Sequence, residues 1–130
     1  MELEGQVALI SGGTRGIGRG IAEAFIAEGA NVVINGRSAD KGAQAIEEMN
    51  AGDQAHFIAG DVTSQEVCEG LVDETVERYG KIDILVPNAG GGTIEGEEPS
   101  PLVDLSEENW PFVLNWNLNL PMWLMRRARK

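Results

Sequence analysis

The chain has 130 residues, 42% of them hydrophobic, and a formal net charge of -11; that suits one globular domain with its own core, and it excludes a nucleic-acid partner, which needs a basic face. The single cysteine, Cys68, excludes an internal disulfide and fits a reducing compartment. With no basic leader and no apolar run near 18 residues, a cytoplasmic protein without a membrane partner is expected.

Val7-Ala8-Leu9-Ile10 reads as a short buried strand. It runs into Ser11-Gly12-Gly13-Thr14-Arg15-Gly16-Ile17-Gly18, and Ile17, Ile21, Ala24 and Phe25 then recur at helical spacing up to a glycine stop at Glu28-Gly29-Ala30. Strand, glycine turn, helix is the order of a phosphate-binding loop. The turn brings a pyrophosphate close to the backbone, and the helix points its free N–H groups at the charge. The spacing, Gly-x3-Gly-x-Gly, differs from Gly-x-Gly-x-x-Gly, and an ordinary tight turn is the competing reading.

Asn31 to Asn35 forms a second strand, Ala39 to Met49 a helix with Ala45, Ile46 and Met49 inward, and Gln54 to Ala59 a third strand. A helix follows with Thr63 as its cap and Glu66 completing a capping box; Val67, Leu71, Val76 and Tyr79 make its stripe, and Gly80 stops it. Ile82 to Val86 is a fourth strand, and Pro87-Asn88-Ala89-Gly90-Gly91-Gly92 a loop. Residues 93–104 form an acidic loop in which Glu95, Glu97 and Glu98 are solvated. A last helix starts with Ser106 as N-cap and Leu105 stapled to Trp110. The period-two run Asn115 to Leu120 allows a strand; the capping signals, and a face of Trp110, Leu114, Asn117, Pro121 and Leu124, favour helix. Four of the ten cations, Arg126, Arg127, Arg129 and Lys130, close the chain and complement a helix end.

This alternation predicts an α/β fold: a Rossmann-like, doubly wound parallel sheet of about four strands with flanking helices. If the fourth strand is the last, Ile84, Leu85 and Val86 lie on an open edge.

With the glycine turn, Asp61-Val62, Asn88-Ala89-Gly90 and the Trp110 to Leu118 segment in this order, the whole chain resembles a short-chain dehydrogenase/reductase. The resemblance implies that residues 1–130 are a dinucleotide-binding Rossmann-type domain, truncated at its C-terminus relative to the family. Gly12, Gly16 and Gly18 would bind the pyrophosphate of a nicotinamide dinucleotide, with Thr14, Arg15 and Ile17 beside them. Asp61 would meet the adenine amino group with Val62 beside the ring; Asn88, Ala89 and Gly90 would lie under the nicotinamide ribose. Ser11 stands where many members have Thr, its hydroxyl free to bond local backbone. Pro87 replaces a frequent Asn and removes one strand-end N–H.

Where NAD readers carry an acid at the end of the second strand, this chain has Asn35-Gly36-Arg37-Ser38. With Arg15 in the turn, Arg37 and Ser38 predict NADP(H) over NAD(H); solvated surface arginines are the alternative. Asn117 is polar on an apolar stripe, and Pro121, four residues on, denies its carbonyl the usual helical N–H. The family uses an asparagine here in a water-linked proton relay, which makes Asn117 the catalytic candidate; a purely structural kink competes.

The family's chemistry also needs a serine, a tyrosine and a lysine four residues after the tyrosine. This chain's one tyrosine, Tyr79, is followed at that spacing by Asp83 and belongs to a helix stripe. His56 has no metal-ligand spacing around it, so no metal is expected; Glu66 and Glu69 would raise the Cys68 thiol pKa. Two functions result: the cofactor-binding part of an NADP-dependent oxidoreductase acting on a small carbonyl or alcohol, or a non-catalytic dinucleotide- or partner-binding module that has lost the catalytic half. Relatives assemble through helices corresponding to Ser106 onward, so a homo-oligomer is expected, with Trp116, Met122 and Trp123 as candidate contacts or core.

Overall fold

The computed structural model describes residues 1–90, 104 and 106–129. Gly91, Gly92, the acidic stretch 93–103, the Leu105 staple and Lys130 lie outside the described residues. Four strands, β1 (Val7–Ile10), β2 (Asn31–Gly36), β3 (Ala55–Ala59) and β4 (Ile84–Val86), form one parallel sheet in the order β3-β2-β1-β4. The helices are α1 (Gly16–Ala27), α2 (Ala39–Met49), α3 (Gln65–Tyr79), α4 (Asn109–Leu114) and α5 (Leu120–Ala128). The doubly wound parallel sheet expected from the alternation is the fold.

Successive strand residues face opposite sides, and each side has its own helices. Leu9, with its partners Val33 and Leu85, packs under α3 and α5 with Val62, Leu71, Leu120 and Leu124. Ala8, Ile10, Val32 and Ile34, with Ile84 and Val86, pack under α1 and α2 with Ala22 and Ala45. No residue of β1 is more than 2% exposed. A strand covered on both faces reads as a run of apolar residues, which is why consecutive apolar positions mark β1 and residues 32–34 of β2. Among the described residues β4 has β1 on one side and no strand on the other.

The helix ends depart from expectation in one case. The N-cap of α3 is Ser64, whose hydroxyl accepts the Val67 N–H at 3.5 Å. Thr63 is drawn away because its N–H (3.0 Å) and hydroxyl (2.8 Å) both bond Asp61 Oδ1. Val76 is exposed, and Cys68, Val72 and Thr75 join Leu71 inside. Ser106 does cap its helix, accepting the Asn109 N–H at 3.1 Å.

Residues 115–120 are helical, but not uniformly α. Between α4 and α5, Asn115–Asn119 forms a π turn, and the Leu120 N–H reaches back five residues to the Asn115 carbonyl. Pro121 follows directly, in the first turn of α5, and because the helix continues unbroken from the π turn its missing N–H leaves the ladder one bond short there. The extra residue shifts the buried face to Asn109, Leu120 and Leu124. Of the expected stripe only Leu124 is fully buried; Trp110 is 50% exposed and Asn117 is exposed. Trp116 and Trp123 pack against the core, while Trp110, Leu118, Met122 and Met125 face outward. Arg126 and Arg127 occupy the last turn of α5, as the helix dipole favours, and Arg127 also grips Asp73 of α3 with two 2.9 Å bonds.

Asp83, just before β4, locks that strand to β1. Its N–H donates to the Val7 carbonyl at 2.8 Å and its carboxylate accepts the Val7 N–H at 2.9 Å, with Lys81 Nζ 2.8 Å away. Lys81 first, then the Val7 N–H, holds the Asp83 pKa below its ordinary value. A depressed carboxyl pKa contributes stability above the unfolded value of about 4 and loses it as pH falls through the folded value. Asp83→Ala is expected to lower the thermal midpoint at neutral pH, with the gap to wild type shrinking below about pH 4; melts on both sides of that pH check it.

Candidate functional site

The strand order reverses at β1: the chain runs outward from β1 through β2 to β3, then returns to place β4 on the other flank of β1. Loops leaving the carboxyl ends of two such strands diverge and open a crevice, the usual ligand site of an open parallel sheet. Here the loops are Ser11–Arg15 after β1 and Pro87–Gly90 after β4.

The two loops satisfy each other's polar groups. Ser11 is fully buried; its N–H donates to the Val86 carbonyl at 3.1 Å, and its hydroxyl accepts the Ala89 N–H at 3.1 Å. Its partner is thus 78 residues away, not the local backbone expected. Asn88 Nδ2 donates to the Gly12 carbonyl at 3.2 Å. The chain turns about Pro87 through the Asn88 N–H, which bonds the Val86 carbonyl at 2.8 Å.

This close approach dictates the glycines. Gly12 has φ +67°, and a Cβ there would stand 3.2 Å from Ala89 Cα. At Gly18 a Cβ would run into the Gly12 carbonyl, so any side chain would lift α1 off the turn. Arg15 is the N-cap of α1 with extended backbone, and Arg15, Gly16 and Ile17 are exposed at the helix mouth. The first-turn N–H groups have no intrahelical carbonyl to bond and present the positive end of the helix. Ile17 departs from the expected inward stripe: in the first turn of α1 it is 78% exposed.

On the β2 side, Thr14 meets Gly36, where a Cβ would come within 2.8 Å of the Thr14 methyl. The segments carrying Arg15 and Arg37 therefore touch, and both arginines are exposed. The Ser38 hydroxyl caps α2, accepting the Lys41 N–H at 3.3 Å. Beyond β3, Asp61 is exposed and fixed by Thr63, while Val62 is buried with its carbonyl taking the Cys68 thiol at 3.2 Å. Asn35, buried at the end of β2, holds this edge in place through Nδ2 bonds of 3.1 Å to the carbonyls of Ile58 and Gly60. Asn117 closes the far end: its Oδ1 lies 2.7 Å from where a Gly90 Cβ would be, and its Nδ2 donates to the Val113 carbonyl at 2.9 Å.

Other reactive side chains are committed elsewhere. The Tyr79 hydroxyl donates to the Asp53 carbonyl at 2.7 Å, as a structural tyrosine would. His56 Nε2 is 3.7 Å from Glu74. Burial pushes the Cys68 thiol up to about 11, with Glu69 and Asp61 adding to the effect. Among the described residues no three His, Cys, Asp or Glu side chains gather to hold a metal, and no helix is long and apolar enough to cross a membrane.

A family profile described as short chain dehydrogenase matches residues 6–130. The chain belongs to this family. It is 38% identical over 117 residues to an NADP-dependent (R)-specific alcohol dehydrogenase of Lentilactobacillus kefiri, covering 90% of this chain and 44% of that protein. It is 41% identical over 109 residues to a cis-2,3-dihydrobiphenyl-2,3-diol dehydrogenase of Paraburkholderia xenovorans, covering 84% and 37%. A crystal structure of a short-chain dehydrogenase/reductase, a glucose/ribitol dehydrogenase from Brucella melitensis, superposes with a TM-score of 0.90 at 30% identity, covering 99% of this chain and 52% of that one. The chain thus spans about half the length of these family members, or less.

Asn35 and Asn115 are site-building residues that the motifs do not contain, and Ser11, which opens the glycine turn, has a distant partner that the motif does not show. The signal available for Ser11 and Asn35 was a polar residue at the end of a fully apolar strand, where burial demands a partner. Ser11→Ala leaves the Ala89 N–H without its acceptor and is expected to cost about 1–3 kcal/mol. Urea denaturation measures this, and a midpoint equal to wild type would contradict the role given to the hydroxyl.

Proposed function

We propose that this chain is the nicotinamide-dinucleotide-binding part of a short-chain oxidoreductase that interconverts a carbonyl and an alcohol. The observation that carries the reading is the crevice at the β1/β4 switch point, where the glycine turn and Asn88–Gly90 are hydrogen-bonded face to face. The residues fit the group. Gly12, Gly16, Ile17, Gly18 and Thr14 cradle the pyrophosphate at the α1 mouth; Asp61 and Val62 frame the adenine; Asn88, Ala89 and Gly90 support the nicotinamide ribose. When bound, the dinucleotide supplies or accepts the hydride. Asn117, at the Gly90 end, is the catalytic candidate that orders water for proton transfer. The tyrosine and lysine of the family's chemistry are not among these 130 residues, so this part binds and orients rather than turns over. A cytoplasmic location accords with its lone, buried thiol.

NADP(H) is the preferred cofactor. A side chain at Gly36 would collide with Thr14, which keeps an acid from the place where it would read a ribose 2′-OH, and Arg15, Arg37 and Ser38 flank that place, where a 2′-phosphate would sit. Calorimetric titration of the chain should give NADPH binding about tenfold tighter than NADH, with Arg37→Ala removing most of the difference. Equal affinities would overturn the preference. The same preparation should not oxidise NADPH with ketones or aldehydes; turnover would mean that the chemistry needs no tyrosine from elsewhere.

The outward residues Trp110, Leu118, Met122 and Met125 support homo-oligomer formation through the α4–α5 face. Light scattering is expected to give a multiple of the chain's 14.0 kDa, and Leu118→Glu with Met122→Glu to reduce it to one copy. A wild-type mass of one copy would refute this assembly.

A further inference from the structure

Asn115 belongs to no cofactor motif, yet it stands between the two ends of the crevice. It opens the π turn, its carbonyl accepting the Leu120 N–H. Its side-chain Nδ2 donates to the Thr63 carbonyl at 3.0 Å, and its Oδ1 accepts from Asn119 Nδ2 at 3.0 Å. Thr63 in turn holds Asp61 Oδ1 through its N–H and hydroxyl. Two residues beyond Asn115, Asn117 sets its Oδ1 against Gly90. One run of hydrogen-bonded residues therefore leads from the Asp61 carboxylate, through Thr63 and Asn115, to the turn that carries Asn117.

The π turn explains how this is geometrically possible. Each residue of an α-helix advances about 100° around the axis. Without the extra residue, Asn115 would be rotated by about that angle relative to α5, and its amide could not face Thr63 while Leu120 and Leu124 stay in the core. A π turn is poorly bonded by itself and needs outside support; the bond from the Asn115 amide to the Thr63 carbonyl gives it.

We propose that Asn115 is a positioning residue that latches the Asp61–Thr63 turn to the π turn, fixing the distance between the adenine end and the nicotinamide end of the crevice. The proposal rests on the reading of that crevice as a dinucleotide site. Three variants of the full chain test it. Asn115→Ala removes the latch; Asn115→Asp keeps the acceptor for Asn119 but cannot donate to Thr63; Asn119→Ala leaves the Thr63 bond alone. Hydrogen exchange over residues 60–66 reads the turn, and calorimetry reads affinity for NADPH and for adenosine 2′,5′-bisphosphate, which reaches the adenine end only.

Both Asn115 variants are expected to exchange faster over 60–66 and to bind NADPH about fivefold more weakly, with the adenosine probe changed by less than about twofold. Asn119→Ala should match wild type in all three. Unchanged exchange in folded Asn115→Asp, or equal losses for NADPH and the adenosine probe, overturns the latch. A wild-type chain that binds no NADPH refutes the cofactor reading instead, and exchange over 60–66 then decides the latch alone.

Discussion

Two side-chain bonds, Ser11 hydroxyl to the Ala89 N–H and Asn88 amide to the Gly12 carbonyl, hold together loops that have no regular structure of their own. Backbone groups at a strand end must find partners once water is excluded, and an irregular loop cannot supply them internally. Here each loop completes the other. The need for Gly12 and Gly18 follows from this: backbones bonded across the crevice leave no room for a Cβ. The arrangement rests on β1 lying between β2 and β4, so that both loops leave the sheet at one place.

The elements most legible in the sequence were those whose surroundings are uniform. β1 and the Val32-Val33-Ile34 middle of β2 are buried on both faces and so are continuously apolar, and α2 spans Ala39–Met49 as its spacing implies. Where local signals compete, a neighbour decides. Thr63 and Ser64 are equally good caps, and Asp61 settles the matter by engaging Thr63. The stripe of the last helix failed because a 3.6-residue period carries no warning of an inserted residue; one π turn displaces every later position. Ile17 failed because periodicity gives a side of the helix, not whether anything lies beneath it.

The site divides in the same way. Its glycines and its Asn88-Ala89-Gly90 loop are contiguous in sequence and could be read there. Ser11, Asn35 and Asn115 could be noticed as polar residues in apolar stretches, but their partners lie 78, 23 to 25 and 52 residues away. The composition also misleads if taken whole. An acidic chain with a net charge of -11 still sets Arg15 and the positive N-terminal end of α1 at the crevice, and such groups act at short range while distant carboxylates are screened by solvent.

The sheet order has a consequence for how the molecule comes together. β2 reaches β1 across one helical connection, but β4 must wait for α2, β3 and α3 to be laid down, and the bonds across the crevice join residues 76 and 78 positions apart. Closing so long a segment carries the larger entropy cost, and contacts of high sequence separation form slowly. The mouth is therefore among the non-local seams of the fold. A molecule bound across it would join two stretches of chain that are far apart in sequence.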